Sequence, residues 1–367
     1  MRVAFRVDAS LVIGTGHVMR CLTLARMLEA HGARCHFICA DLPGNLGQFL
    51  CQNGVSLTLL PAPRGDAAAP LDYSSWSGLT WADDAEATAR ELQKQPADWL
   101  VVDHYGLDAQ WEAAVLRATG AKCLIIDDLA NRPHLGRWLL DPGPQRTSAD
   151  YKQFVPSDCD LLLGPRYALL RPEFSELRDR VLPTRKKRSL RHVLVTMGGV
   201  DLPNASSAIL SCLDRLTLPE GFHVTLVLGG TAPHLENLRA RAEELSFPCD
   251  IKVDVRDLHH LMAKADLAIG AAGGTAWERC VLGLPSLMLS TAENQIPAAR
   301  ALEQAGAAVS LGFLADGDGW VDTLAESLQR VRNPRVLAEL ARNSSSLCDG
   351  KGAIRVEKRM RAALETS

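Results

Sequence analysis

The residues best placed to do chemistry sit at a short glycine turn. Ile13-Gly14-Thr15-Gly16-His17-Val18-Met19-Arg20 follows a strand ending at Asp8 and opens a helix whose stripe is Val18, Cys21, Leu22, Ala25 and Leu28, with Gly32 as its stop. The glycines allow a sharp turn and close approach to a ligand, and they put His17 in the first helical turn. There the positive end of the helix dipole disfavours the imidazolium and leaves a neutral ring able to take a proton. A capping or solvent-facing histidine is the plainer alternative. The turn lacks the third spaced glycine of a dinucleotide fingerprint and the Lys-Ser/Thr of a P-loop, which argues against nicotinamide and ATP chemistry. His17 and Cys21 lie four apart, but with no third ligand nearby core packing is the better reading of Cys21, and no metal is expected.

A second group is Gly270-Ala271-Ala272-Gly273-Gly274-Thr275, which joins a strand to a helix with Thr275 as its cap. Backbone N–H groups at such a turn suit a pyrophosphate, and Glu278 could accept both hydroxyls of a ribose or merely compensate the helix dipole. Met197-Gly198-Gly199-Val200-Asp201 follows another strand and is expected to face the same pocket. Asn294 and Gln295, in a polar turn after a further strand, could reach phosphate or sugar or serve only as capping residues.

Alternating strands and helices must position these groups. Val3–Val7, Cys35–Cys39, Val55–Leu60, Trp99–Val102, Leu124–Ile126 and Leu161–Leu163 are the strand candidates of the first half. His192–Met197, His223–Leu228, Ile251–Val255, Leu267–Ile269, Ser286–Leu289 and Ala308–Leu311 are those of the second. The pattern predicts an α/β chain of two Rossmann-like domains, residues 1–182 and 190–367, facing across a cleft lined by the carboxyl ends of their strands. Leu182-Pro183-Thr184-Arg185-Lys186-Lys187-Arg188-Ser189 reads as a solvated linker, and Ala67-Ala68-Ala69-Pro70 as a loose loop. Terminal helices follow Leu324, with stops near Asn333-Pro334 and Gly350-Lys351-Gly352, and the last could pack on the first domain.

A chain of 367 residues is long enough for two cores. Its net charge of -3 gives no bulk attraction to nucleic acid or anionic membrane, so a small molecule is the expected partner. Ten scattered cysteines, several in apolar runs, read as reduced thiols, and no apolar run approaches a membrane span. A cytoplasmic protein without stable membrane association is expected.

Phe5-Arg6-Val7-Asp8-Ala9-Ser10 followed by Ile13-Gly14-Thr15-Gly16-His17-Val18-Met19-Arg20-Cys21-Leu22-Thr23-Leu24-Ala25 resembles the opening of the UDP-2,4-diacetamido-2,4,6-trideoxy-β-L-altropyranose hydrolases of pseudaminic acid biosynthesis. The second half is similar to the nucleotide domain of the glycosyltransferase-B (GT-B) group, through Gly273-Gly274-Thr275, Glu278, Gly283-Leu284-Pro285 and Asn294-Gln295. The resemblance implies a GT-B-like fold in which water replaces the acceptor, attacks C1 with inversion and releases UDP, with no metal and no cofactor. It makes His17 the general base and places Tyr105 and Asn294 beside the sugar and departing phosphate. Asp8, Gly14, Gly16 and Arg20 become substrate contacts, Gly198, Gly199, Gly273, Gly274, Thr275 and Gln295 the phosphate surroundings, Glu278 the ribose contact, and the backbone at Val255-Arg256 the uracil edge. His104, Asp103 and the pair Asp127-Asp128 are read as structural. A UDP-sugar-dependent transferase, which would release UDP only with an acceptor, and a non-catalytic UDP-sugar-binding protein are the rival readings.

Overall fold

The computed structural model describes residues 1–61 and 73–365, so Ala67-Ala68-Ala69-Pro70 lies outside the described residues. Two compact units form: Met1–Leu169 together with the stretch from Lys351 onward, and Leu170–Gly350.

The first unit carries a sheet of seven parallel strands: β1 (Arg2–Val7), β2 (Arg34–Ala40), β3 (Ser56–Leu60), β4 (Trp99–Asp103), β5 (Lys122–Ile126), β6 (Trp138–Asp141) and β7 (Asp160–Leu163). Its order is β3-β2-β1-β4-β5-β6-β7, so the winding reverses between β1 and β4. Side chains alternate across the sheet. Val3, Phe5 and Val7 pack with Leu24, Leu28, Val356 and Met360 on one face, under the helices Gly16–Ala30 and Gly352–Glu365, while Ala4 packs with Leu100, Val102 and Trp111 on the other. β6 has no counterpart among the strands expected from sequence. It is the short run Trp138-Leu139-Leu140-Asp141.

The second unit holds six parallel strands: β8 (His192–Thr196), β9 (His223–Leu228), β10 (Cys249–Val253), β11 (Leu267–Gly270), β12 (Ser286–Ser290) and β13 (Val309–Phe313), in the order β10-β9-β8-β11-β12-β13. Its core gathers Val193, Val195, Ile209, Leu226, Leu267, Ile269 and Leu287. β10 ends before Val255 because Asp254 turns to a positive φ of 51°. The expected linker is corrected. Residues 182–185 close the helix Pro172–Arg185, and Pro183 stands in its last turn. Arg185 is buried, bonding the carbonyls of Leu282, Ala265 and Met262, and Arg188 bonds those of Ala263 and Lys264. Arg185 and Arg188 instead neutralise the carbonyl end of the helix Leu258–Lys264, while Lys186 and Lys187 are exposed as read. Among the described residues no helix is long and apolar enough to cross a membrane.

Candidate functional site

In the first unit the register Val7↔Asp103 sets the end of β1 beside Asp103, the last residue of β4. The turn after β1 is closed by the Gly14 N–H donating to the Ser10 carbonyl at 2.9 Å, with Gly14 at φ 77°, where a side chain would be strained. His17 is therefore the second residue of the helix Gly16–Ala30. Its Nδ1 lies 2.6 Å from Asp103 Oδ1, and Asp103 is fully buried. Arg20 Nε donates to Asp103 Oδ2 and one Arg20 terminal nitrogen to Oδ1, both at 2.6 Å. Burial alone would raise the Asp103 carboxyl, yet Arg20 and His17 outweigh it and hold Asp103 far below the usual carboxylate range.

An ionised carboxylate only accepts, so neutral His17 carries its proton on Nδ1 and its lone pair on Nε2. The opposite tautomer would set a nitrogen lone pair against Asp103 Oδ1 at 2.6 Å. A base oriented by a buried acid results. It was legible as His17 alone: the helix start was expected to control the ring, and the Asp103 carboxylate was read as part of a structural turn.

Arg20 also reaches Asp128 Oδ2 at 3.0 Å, and the Tyr105 hydroxyl donates to Asp128 Oδ1 at 2.5 Å. Asp128 thus belongs to the His17 surroundings, whereas its neighbour Asp127 turns away to Arg132 and the Ala130 N–H. Tyr105, 5% exposed, stands edge-on to His17 with ring centroids 4.7 Å apart. Burial and Asp128 push its hydroxyl well above the usual tyrosine range, so Tyr105 positions the histidine and is no proton source at neutral pH. Trp76 completes the wall, 6.2 Å from His17 and 5.3 Å from Tyr105.

Asp8 is corrected from substrate contact to core group. It is fully buried, bonded by Arg6 at 2.6 Å and by the Ala40 N–H at 2.7 Å, with His104 Nε2 at 3.2 Å. Arg6 also clamps Asp84, which takes the Trp111 indole N–H at 2.9 Å. Arg20, partly exposed, braces Asp103 and Asp128, and a Cβ on Gly14 or Gly16 would meet nothing within 4 Å, leaving those two backbones approachable.

One neighbour of this network has its carboxyl raised. Burial and the Asp128 carboxylate push Asp141 up to about 6, against the Gly143 N–H, the Tyr151 hydroxyl at 2.7 Å and Arg146 at 2.9 Å. Its folded form binds a proton more tightly than the unfolded chain, so its contribution to stability is full below the ordinary carboxylate value of about 4 and is lost as pH rises through 6. Relative to wild type, Asp141→Asn should therefore gain about 1 kcal/mol between pH 5 and pH 7 in urea titrations. A pH-independent difference would remove Asp141 as the titrating group.

In the second unit Gly198 has φ 102°, and the Gly229 N–H donates to the Gly199 carbonyl at 2.8 Å, docking that turn beside the end of β9. Gly273 and Gly274 have open space where a Cβ would stand. Thr275 is corrected as a cap. Gly274 holds the cap position, and Thr275 Oγ1 accepts from Arg279 at 3.3 Å. Gln295 is partly corrected, since its side-chain oxygen accepts from the Thr291 N–H at 3.0 Å and so closes its own turn. Asn294 is exposed.

Arg171, which sequence reasoning passed over, joins two proposed nucleoside contacts. It donates to the Arg256 carbonyl, next to Val255, at 3.0 Å and stands 3.5 Å from the Glu278 carboxylate. Burial raises the Glu278 carboxyl and Arg171 opposes it. One cation therefore ties the turn after β10 to the helix after β11, an arrangement able to hold a nucleoside by backbone at one end and carboxylate at the other.

Residues 192–353 match the Glycosyltransferase family 28 C-terminal domain. Across 98% of this chain and 99% of the other, the structure is similar to the crystal structure of Acinetobacter baumannii MurG, with a TM-score of 0.67 at 16% identity. CalG4, the calicheamicin glycosyltransferase, gives 0.64 at 14% identity over 99% of this chain and 98% of its own. The fold is the GT-B glycosyltransferase fold. By sequence the chain is 28% identical over 275 residues to the spore coat polysaccharide biosynthesis protein SpsG of Bacillus subtilis, covering 74% of this chain and 78% of that protein. It is 26% identical over 307 residues to the UDP-2,4-diacetamido-2,4,6-trideoxy-β-L-altropyranose hydrolase of Campylobacter jejuni, covering 83% of this chain and 97% of the relative.

Proposed function

We propose that the chain is a cytoplasmic, metal-independent hydrolase of a UDP-activated amino sugar, namely UDP-2,4-diacetamido-2,4,6-trideoxy-β-L-altropyranose, acting in pseudaminic acid biosynthesis. The observation that carries the reading is the His17–Asp103 pair at 2.6 Å, which leaves Nε2 as a base. The Campylobacter jejuni relative of that printed activity, which this chain covers almost end to end, supports the substrate.

Water loses a proton to His17 Nε2 as its oxygen bonds to C1 of the sugar. The C1–oxygen bond to UDP breaks on the opposite side, inverting the centre, and the electron pair leaves with the diphosphate. Asp103 stabilises the imidazolium that forms. The turns at Gly198-Gly199 and Gly273-Gly274-Thr275, with Asn294, are assigned the departing diphosphate; Glu278 takes the ribose and the Val255 backbone the uracil.

A second reading, sugar transfer to an acceptor, is favoured by the family 28 domain match and the MurG likeness. Incubation with a panel of UDP-di-N-acetylated sugars, with chelator and no acceptor, separates the two by proton NMR. The hydrolase gives UDP and free sugar in equal amounts. UDP release that waits for an added acceptor would replace hydrolysis by transfer.

A further inference from the structure

Three arginines are buried among the described residues, and they differ in what balances their charge. Arg6 has two carboxylates, Asp8 and Asp84. Arg185 has three carbonyls, one on each side-chain nitrogen. Arg279, 1% exposed, has neither. One terminal nitrogen donates to the Ala271 carbonyl at 2.8 Å, the other lies 3.3 Å from Thr275 Oγ1, and its Nε has no partner. The carboxylate next to it in sequence, Glu278, turns to Arg171. Glu278 acts on Arg279 through space without an ion pair to it; a buried guanidinium with no paired anion is costly, and an anion bound from elsewhere would stabilise it.

Its position says where that anion would sit. A Cβ on Gly270 would stand 2.5 Å from an Arg279 terminal nitrogen, so the guanidinium is lodged behind the turn that runs from Gly270 to Thr275. On that same turn Gly273 and Gly274 are open to approach. We propose that Arg279 is the built-in counter-charge of the diphosphate: from behind the 270–275 turn it supplies positive potential to the phosphates held on the turn's open side, and it fixes that turn through Ala271 and Thr275. The inference rests on the second unit being a UDP site. Arg279 acts through the turn and the field, and it is a positioning residue. Burial pulls its guanidinium down to about 10, which still leaves it charged at neutral pH.

Calorimetric titration of the full chain with UDP and with uridine tests this. In Arg279→Met, UDP binding should weaken by roughly tenfold or more while uridine binding stays within about twofold, because a charge effect reads only the phosphates. Arg279→Lys should keep most of the UDP affinity. Equal weakening of UDP and uridine, or a lysine variant as poor as the methionine one, would overturn the proposal in favour of a packing role. Should Arg279→Met not fold by circular dichroism, Arg279→Gln, which keeps a donor for Ala271 and loses the charge, decides by the same UDP-to-uridine ratio. Wild-type protein that bound neither ligand would remove the nucleotide site itself, and this inference with it.

Discussion

Asp103→Asn is expected to lower kcat of the proposed hydrolysis by roughly a thousand- to ten-thousand-fold and to leave UDP affinity unchanged. The reason lies in which atom of the new amide faces His17. Arg20 donates to both Asp103 oxygens at 2.6 Å and has nothing else to offer them. An asparagine there must set its NH2 against one Arg20 donor; with its oxygen at the Oδ2 site, where both Arg20 Nε and the Cys21 thiol at 3.5 Å donate, that NH2 faces His17 Nδ1. Nδ1 must then accept, the ring proton moves to Nε2, and the atom meant to take a proton from water already carries one. UDP binding is assigned to the other unit's turns, so it serves as the internal control. Measurement of kcat and of UDP affinity on the same folded preparation decides the matter, and a kcat within tenfold of wild type would sink the dyad.

How much of this was legible in the chain depends on sequence distance. The glycine turns could be read directly, because Gly14 and Gly198 announce positive φ locally and the helix after Gly16 shows its own apolar stripe. Asp103 could not be tied to His17, since 86 residues separate them and only the reversal of winding between β1 and β4 brings them together. Asp128 was passed over for a related reason. Adjacent Asp127 and Asp128 read together as structural, but their side chains diverge, one into the fold and the other to Arg20 and Tyr105. Arg185 reads as part of a solvated linker and Asp8 as a substrate contact; both are buried because each meets partners from distant strands or helix ends. Local conformation is written locally; compensation of buried charge is written in topology.

His17→Asn removes the base itself and should lower kcat by about a hundred- to ten-thousand-fold, the range a positioned general base supplies. KM should move little, because the ring's work is done on water in the transition state. The comparison with Asp103→Asn carries more information than either loss. Asp103 contributes through His17, so the double variant His17→Asn/Asp103→Asn should be no slower than His17→Asn by itself. Multiplying losses would mean that Asp103 acts on the substrate independently and that the pair is not one unit. The two rival activities also part here. A transferase using His17 as base shows the same non-additivity only in acceptor-dependent turnover, whereas the hydrolase shows it in the release of UDP into water.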